Sequence, residues 1–127
     1  MQTGDLNVAL VQFSACLGEP QKNLETCIKY AIKAADEGAD VICFPELCST
    51  GYTCNPTLVE RMAVQQDLAD FIIPLSETAQ KYKIVIIYSY IEKTKEGYHI
   101  SAAVFDKDGS YRGSYRKCYH WADEKAV

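Results

Sequence analysis

Residues 41–52 read Val41-Ile42-Cys43-Phe44-Pro45-Glu46-Leu47-Cys48-Ser49-Thr50-Gly51-Tyr52. The apolar run at the start predicts a buried β-strand, and Pro45 and Gly51 indicate that the chain turns directly after it. Loops at strand ends are free to face a ligand, so Glu46 is a candidate functional residue. Because most carboxylates in such positions are merely solvated, the case for Glu46 depends on the rest of the chain.

A β-α-β unit leads into this stretch. Leu6 to Phe13 is a predicted strand, and its nearly continuous apolar residues indicate burial on both faces. The next apolar residues recur at helical spacing, with Pro20 in the first turn and Gly38 at the C-terminal end. Residues 40–44 form the second strand, and the short crossover predicts that the two strands pair in parallel.

The remaining pattern predicts two helices and three strands. A short helix at 57–66 precedes a longer one at 67–82, in which Pro74 should kink the helix or delay its start. The three strands are predicted at 84–91, 98–105 and 110–118. The turn Asp106-Lys107-Asp108-Gly109 indicates an antiparallel hairpin between the last two. The order predicts an α/β fold with a mixed β-sheet and helices on one face.

Length and composition limit the function classes. The chain has 127 residues, typical of one domain, and 48% of them are hydrophobic. With a formal net charge of −4 and no long basic run, neither nucleic acid nor membrane is expected as a partner. No apolar stretch is long enough to span a bilayer, and Met1 to Asp5 lack a basic n-region. We therefore expect a cytoplasmic protein.

The cysteines are expected to be free thiols, because an even count indicates disulfides mainly in secreted chains. They are Cys16, Cys27, Cys43, Cys48, Cys54 and Cys118. No CxxC pair occurs, and His99 and His120 are distant in sequence from the 43–54 cluster, so a zinc site is disfavoured. Cys27 and Cys43 suit the role of small core hydrophobes.

The last predicted strand carries a lysine on its apolar side. Because side chains alternate along a strand, Lys117 shares a face with Tyr111, Gly113 and Tyr115, and this face should be turned to the core. The other face is polar and should meet solvent or a partner; it carries Ser110, Arg112, Ser114, Arg116 and Cys118. An inward ammonium group needs a carboxylate partner, and Glu46 is the candidate. The alternative is that Lys117 extends to water from the strand end.

Short motifs run in order along nearly the whole chain. They are Val11-Gln12-Phe13, Asn23-Leu24, Gly38-Ala39-Asp40, Phe44-Pro45-Glu46-Leu47, Thr50-Gly51-Tyr52, Ser101-Ala102, Asp106-Lys107-Asp108-Gly109, Tyr115-Arg116-Lys117, His120-Trp121 and Glu124. Together they resemble the N-terminal half of a carbon–nitrogen hydrolase of the nitrilase superfamily. This resemblance implies that residues 1–127 are an incomplete portion of that domain, a partial α-β-β-α sandwich.

The resemblance also implies a Glu–Lys–Cys triad. Glu46 matches the general base, and Lys117 matches the lysine that stabilises the tetrahedral intermediate. Glu124 matches a second glutamate that places substrate or water; the alternative is a solvated charge. The nucleophilic cysteine belongs to a block beyond Val127, so neither Cys48 nor Cys118 is assigned that role.

The implied activity is hydrolysis of a small amide, nitrile or carbamoyl substrate to an acid and ammonia, without a metal or organic cofactor. This chain alone is expected to be inactive, and its uncovered sheet face should make it associate into a homo-oligomer. Two alternatives stay open: a non-catalytic interaction module, or the start of the glutaminase domain of a glutamine-dependent NAD synthetase.

Overall fold

The computed structural model describes residues 4–63, 70–121 and 123–124. Its elements in chain order are β1 (Val8–Leu10), α1 (Pro20–Asp36), β2 (Val41–Cys43), α2 (Pro56–Met62), α3 (Ile72–Tyr82), β3 (Val85–Thr94), β4 (Gly97–Phe105) and β5 (Tyr111–Arg116). The segment 64–69, where one predicted helix ends and the next begins, lies outside the described residues. Over the described ranges, no helix has the length and apolar character to cross a membrane.

The five strands form one mixed sheet in the order β1-β2-β3-β4-β5. The pairs β1–β2 and β2–β3 are parallel, whereas β3–β4 and β4–β5 are antiparallel. The predicted parallel crossover and the predicted hairpin at 106–109 are therefore both confirmed. Pro74 is the third residue of α3, so it delays the start of the helix and does not kink it.

The main core lies between one face of the sheet and the helices α1 and α3. Ile42, Ile86 and Phe105 form one row across the sheet and are fully buried. Each such side chain contributes roughly 1.5–3 kcal/mol through burial. The helices complete this core with Leu24, Cys27, Ala31 and Ala34 of α1 and with Leu75 and Ala79 of α3. The predicted mixed sheet with helices on one face is confirmed, while α2 packs in a smaller cluster with Leu47 and Ile91.

The sheet face turned away from α1 and α3 is apolar and largely open. Across the sheet, Leu10 lies in one row with Cys43, Ile87 and Val104. Leu10 is 77% exposed and Val8 is 48% exposed. The prediction that the first strand is buried on both faces is therefore wrong, because its alternate side chains point to the uncovered side.

A β-bulge in β5 overturns the predicted division of that strand into faces. Phe105 pairs with Tyr111 and Val104 with Gly113, so Arg112 is an extra residue, and Gly113 takes the positive φ of 116°. Tyr111 consequently packs on the helix-covered side, with its ring 5.5 Å from that of Phe105.

Beyond the bulge, the two faces of β5 are the reverse of those predicted. Ser114 bonds the Tyr90 hydroxyl at 2.9 Å on the helix-covered side, and Arg116 lies opposite the buried Ser101. Tyr115 is 68% exposed on the open side, and Lys117, two residues on, projects to that side as well. Lys117 thus faces away from the main core.

Candidate active site

Glu46 lies on a tight turn that follows β2 and is held by β3. The backbone N–H of Leu47 donates to the Ser89 hydroxyl at 2.9 Å, and the N–H of Ser49 donates to the Ser89 carbonyl at 3.2 Å. Leu47 has a φ of +53°, which costs a non-glycine residue about 1–2 kcal/mol. A left-handed residue that β3 holds beside a candidate carboxylate indicates that the position of Glu46 is specified, not incidental.

Asn23 of α1 fixes the same turn from the other side. Its side-chain amide donates to the carbonyls of Cys16 at 2.8 Å and Ser49 at 3.0 Å, and its oxygen accepts from the Cys16 N–H at 2.8 Å. Asn23 is only 1% exposed, so no water can replace these bonds. One buried side chain therefore connects the loop after β1, the start of α1 and the turn that carries Glu46.

We expect Asn23→Ala to lower the free energy of unfolding by about 2–4 kcal/mol, because it leaves buried backbone groups without partners. Urea denaturation followed by circular dichroism would measure this loss. Gln21→Ala is the matched control, since Gln21 is an exposed residue of the same helix whose amide makes a single 3.4 Å bond to Glu25. Equal losses of unfolding free energy in the two variants would contradict the assignment of Asn23 as the residue that fixes this turn.

Lys117 brings the three sequence-predicted site residues together. Its Nζ lies 3.0 Å from Oε2 of Glu46 and 3.0 Å from Oε1 of Glu124. The pairing of Glu46 with Lys117 that the sequence predicted is therefore present. The Lys117 side chain is 28% exposed, so it neither lies deep in the core nor extends freely into water.

Glu124 is enclosed, although it stands in a charged stretch of sequence. Its side chain is 5% exposed, and its oxygens also accept from the Tyr52 hydroxyl at 2.9 Å and from the Trp121 N–H at 2.8 Å. It is therefore not a solvated surface charge. Tyr52 was missed as a partner of Glu124, and its place in the Thr50-Gly51-Tyr52 motif was the available signal. The Cys54 thiol lies 3.6 Å from the Tyr52 hydroxyl.

Hydrogen bonding dominates the electrostatics of this cluster. Hydrogen bonds to Glu46 and then to Glu124 raise the pKa of Lys117 above its ordinary value, so its ammonium form is stabilised. Burial alone would raise the pKa of Glu124. The hydrogen bonds from Trp121, Lys117 and Tyr52 outweigh burial, and the pKa of Glu124 is lowered. Both charged forms therefore persist at neutral pH.

A cavity of about 270 Å³ adjoins Glu46 and Lys117 on the open side of the sheet. It is lined by Phe44, Glu46, Ser89, Ile100, Ser101, Ala102, Tyr115 and Lys117. None of the six cysteines, all of which lie in the described ranges, is among these lining residues. A larger groove of about 510 Å³ runs between β1 and α1, and its lining includes neither Glu46 nor Lys117. Among the described residues, no group of three or more His, Cys, Asp or Glu side chains is arranged to hold a metal ion.

Removing the Lys117 ammonium group should lower the stability by an amount that depends on pH. Because the folded-state pKa of Glu124 is lowered, its ionised form contributes stability above the unfolded pKa that is lost as pH falls through the folded pKa. Lys117→Met should therefore cost about 1 kcal/mol near neutral pH. The deficit relative to the parent chain should shrink in acid.

Thermal unfolding of both chains from pH 7 down to pH 3 would measure this difference. Lys33→Met is the matched control, because Lys33 lies 3.9 Å from Glu37 and both side chains are exposed, at 71% and 69%. A Lys117→Met deficit that does not change with pH, or that is no larger than that of Lys33→Met, would show that Glu124 does not depend on Lys117.

Comparison with known proteins identifies the class to which this fold and this cluster belong. The family model described as carbon-nitrogen hydrolase matches residues 7–127, so the chain belongs to the carbon-nitrogen hydrolase family. The resemblance inferred from the motifs is thereby confirmed.

Individual relatives include several kinds of enzyme. The chain is 31% identical over 110 residues to the glutamine-dependent NAD(+) synthetase of Acinetobacter baylyi, covering 87% of this chain and 20% of the synthetase. It is 33% identical over 117 residues to the citrullinase of Francisella tularensis, covering 91% and 41%. An amidase from Nesterenkonia sp. AN1, solved as a cysteine-to-alanine variant with butyramide, is 26% identical with a TM-score of 0.83, covering 96% and 47%. The chain therefore spans less than half the length of each of these proteins.

Proposed function

We propose that residues 1–127 are the N-terminal portion of a thiol-dependent carbon–nitrogen hydrolase domain whose nucleophilic cysteine lies in a further segment. The observation that carries this proposal is the position of the Lys117 ammonium between the carboxylates of Glu46 and Glu124, next to a cavity. A pure scaffold has no need of a lysine held by two carboxylates at the edge of an open sheet face.

The proposed chemistry assigns one role to each residue. Glu46 accepts the thiol proton as the thiolate attacks the carbonyl carbon of an amide or carbamoyl group, and it later returns that proton to the leaving amine. A nitrile would first give a thioimidate, which takes up one water and loses ammonia to give the same thioester. Lys117 stays charged and stabilises the developing oxyanion. Water then attacks the acyl-thioester; its proton passes to Glu46, the acid leaves, and Glu46 returns the proton to the released thiolate. Glu124 holds Lys117 and helps to place substrate or water.

The proposed steps use the side chains named above. The proposed substrate is a small amide, nitrile or carbamoyl compound. The butyramide bound to the Nesterenkonia amidase and the name of the citrullinase support this substrate class. The proposal includes the cytoplasm as compartment, which six free thiols suit. It also includes a homo-oligomer, which the open apolar face would favour.

A second candidate is the start of the glutaminase domain of a glutamine-dependent NAD synthetase. The match to the Acinetobacter synthetase favours it. The two candidates differ in substrate: the synthetase domain should release ammonia from glutamine, whereas a free-standing amidase should prefer simple amides or carbamoyl compounds.

The decisive experiment is to sequence the gene beyond codon 127 and to assay its complete product for ammonia release from glutamine, butyramide and citrulline. Glu46→Gln and Lys117→Met should each lower kcat by at least about 100-fold, whereas Lys107→Met should not. Full activity in Glu46→Gln or Lys117→Met would refute the site. A gene that ends at codon 127 would favour the non-catalytic module.

A further inference from the structure

A fork-shaped ion pair joins Arg116, the residue before Lys117, to Glu92; the Glu92 side chain is buried, whereas that of Arg116 is 47% exposed. Arg116 donates from Nε to Oε2 of Glu92 at 2.9 Å and from one terminal nitrogen to Oε1 at 2.8 Å. Ser101 donates to the same Oε2 at 2.7 Å. The Glu92 side chain is 4% exposed, and hydrogen bonds from Arg116 hold its pKa below the ordinary value. This carboxylate is thus ionised, satisfied and fixed in place.

The fork holds the end of an edge strand. Among the strands of the described residues, β5 pairs with β4 alone, and Arg116 is its last residue. Strand ends at a sheet edge open easily, because few contacts hold them. The Arg116 side chain reaches across β4 to Glu92 on β3, and it therefore ties the end of β5 to an inner strand.

Lys117, the next residue, points to the opposite face of the sheet from Arg116. The N–H of Lys117 donates to the Ile100 carbonyl at 2.8 Å, continuing the backbone ladder by one bond. Because adjacent side chains point to opposite faces, a fixed Arg116 on the helix-covered side directs Lys117 to the open side. There Lys117 reaches both Glu46 and Glu124.

We propose that Glu92 and Arg116 are positioning residues that set where the Lys117 ammonium stands between Glu46 and Glu124. This inference rests on the proposed function only for the importance of Lys117. The role follows from fork geometry: two parallel bonds to a carboxylate fix the orientation of a guanidinium, whereas one bond leaves it free to rotate. Small displacements of catalytic groups have large kinetic effects, so such an anchor is useful at this place.

The same strand offers a matched comparison. Arg112 pairs with Asp106 at 2.8 Å, and its side chain is 56% exposed, but its carboxylate partner is 38% exposed, whereas Glu92 is 4% exposed. That pair lies at the bulge, next to the hairpin turn. It does not tie β5 to β3. Loss of the Arg112 pair should therefore loosen the turn without moving Lys117.

Site-resolved lysine labelling tests the proposal on the chain as it exists. Reductive methylation with formaldehyde and cyanoborohydride modifies neutral amines, and mass spectrometry gives a rate for each lysine. In Glu92→Gln, we expect the Lys117 rate to rise roughly three- to fivefold as its ion pairs weaken. The Lys107 rate should stay unchanged, since that lysine is held by Asp40 elsewhere. Arg112→Gln should leave the Lys117 rate as in the parent.

A second variant keeps the test decisive. Arg116→Lys leaves the buried Glu92 with a charged partner but removes the fork, and it should also raise the Lys117 rate. If Glu92→Gln unfolds and all lysines react alike, the Lys117 rate in Arg116→Lys decides whether the proposal holds. A Lys117 rate that stays at the Arg112→Gln level would overturn the proposal. The readout needs no enzyme activity, so failure of the proposed catalytic roles would be seen separately, in the assay of the complete gene product.

Discussion

The purified chain of 127 residues should hydrolyse butyramide, glutamine and citrulline no faster than buffer does. In the part of the chain that the structure describes, no cysteine lines the cavity beside Glu46 and Lys117. Loss of the nucleophile from residues that act as a unit costs about 10⁶-fold in kcat, and the remaining carboxylate and lysine cannot form an acyl-enzyme. A coupled assay for ammonia would measure this absence of turnover.

Cys48 is the thiol to exclude in that experiment, because it stands two residues after Glu46. It has no exposed surface, and its sulfur is engaged with the backbone N–H and carbonyl of Ser89 at 3.3 and 3.4 Å. It is thus a packing residue in the turn. Turnover that survives purification and disappears in Cys48→Ala would instead make Cys48 the nucleophile.

The second large effect should be on assembly. At micromolar concentration we expect the chain to elute well above its monomer mass of 14.2 kDa, because an apolar sheet face and its edge strands stand open. Leu10→Lys places a charge at the β1 end of the apolar row and should shift the population towards monomer. Multi-angle light scattering would give the masses directly.

Ile73→Lys is the control for this shift. Ile73 is 69% exposed and Leu10 is 77% exposed, but Ile73 lies on α3 and not on the sheet. It should leave the mass distribution of the parent unchanged. A parent chain that is a stable, monodisperse monomer at high concentration would contradict the expectation. Such a monomer would show that this portion of the domain is self-sufficient, as the interaction-module alternative requires.

Much of the architecture could be predicted because its signals are local. The crossover to a parallel strand, the late start of α3 and the hairpin at 106–109 follow from spacing, from Pro74 and from turn residues. The burial of β1 was wrong, since apolar composition states what a strand could bury and not what is there to cover it. Leu10 is as apolar as Ile42, yet only Ile42 lies under a helix.

The site could be predicted in part. The pairing of Glu46 with Lys117 followed from the need of an ammonium group for a carboxylate partner, but the face of the strand was wrong. The bulge at Arg112 carries no strong sequence signal besides Gly113. Because it adds one residue to β5, each side chain after it points to the face opposite to the one that simple alternation predicts. The partnership of Arg116 with Glu92 joins residues on two non-adjacent strands, so it becomes visible only when the register is known.

The bulge at Arg112 determines which cation faces the carboxylates. Without it, continuous pairing of the same residues from the turn would bring Arg116 to the carboxylates and send Lys117 under the helices. A relative that lacks one residue at Arg112 and pairs continuously would keep its lysine on the open side, so an alignment gap at this position still compares residues on the same side of the sheet. A relative with the same number of residues in this hairpin must keep a bulge, or the cation that faces the carboxylates changes its identity.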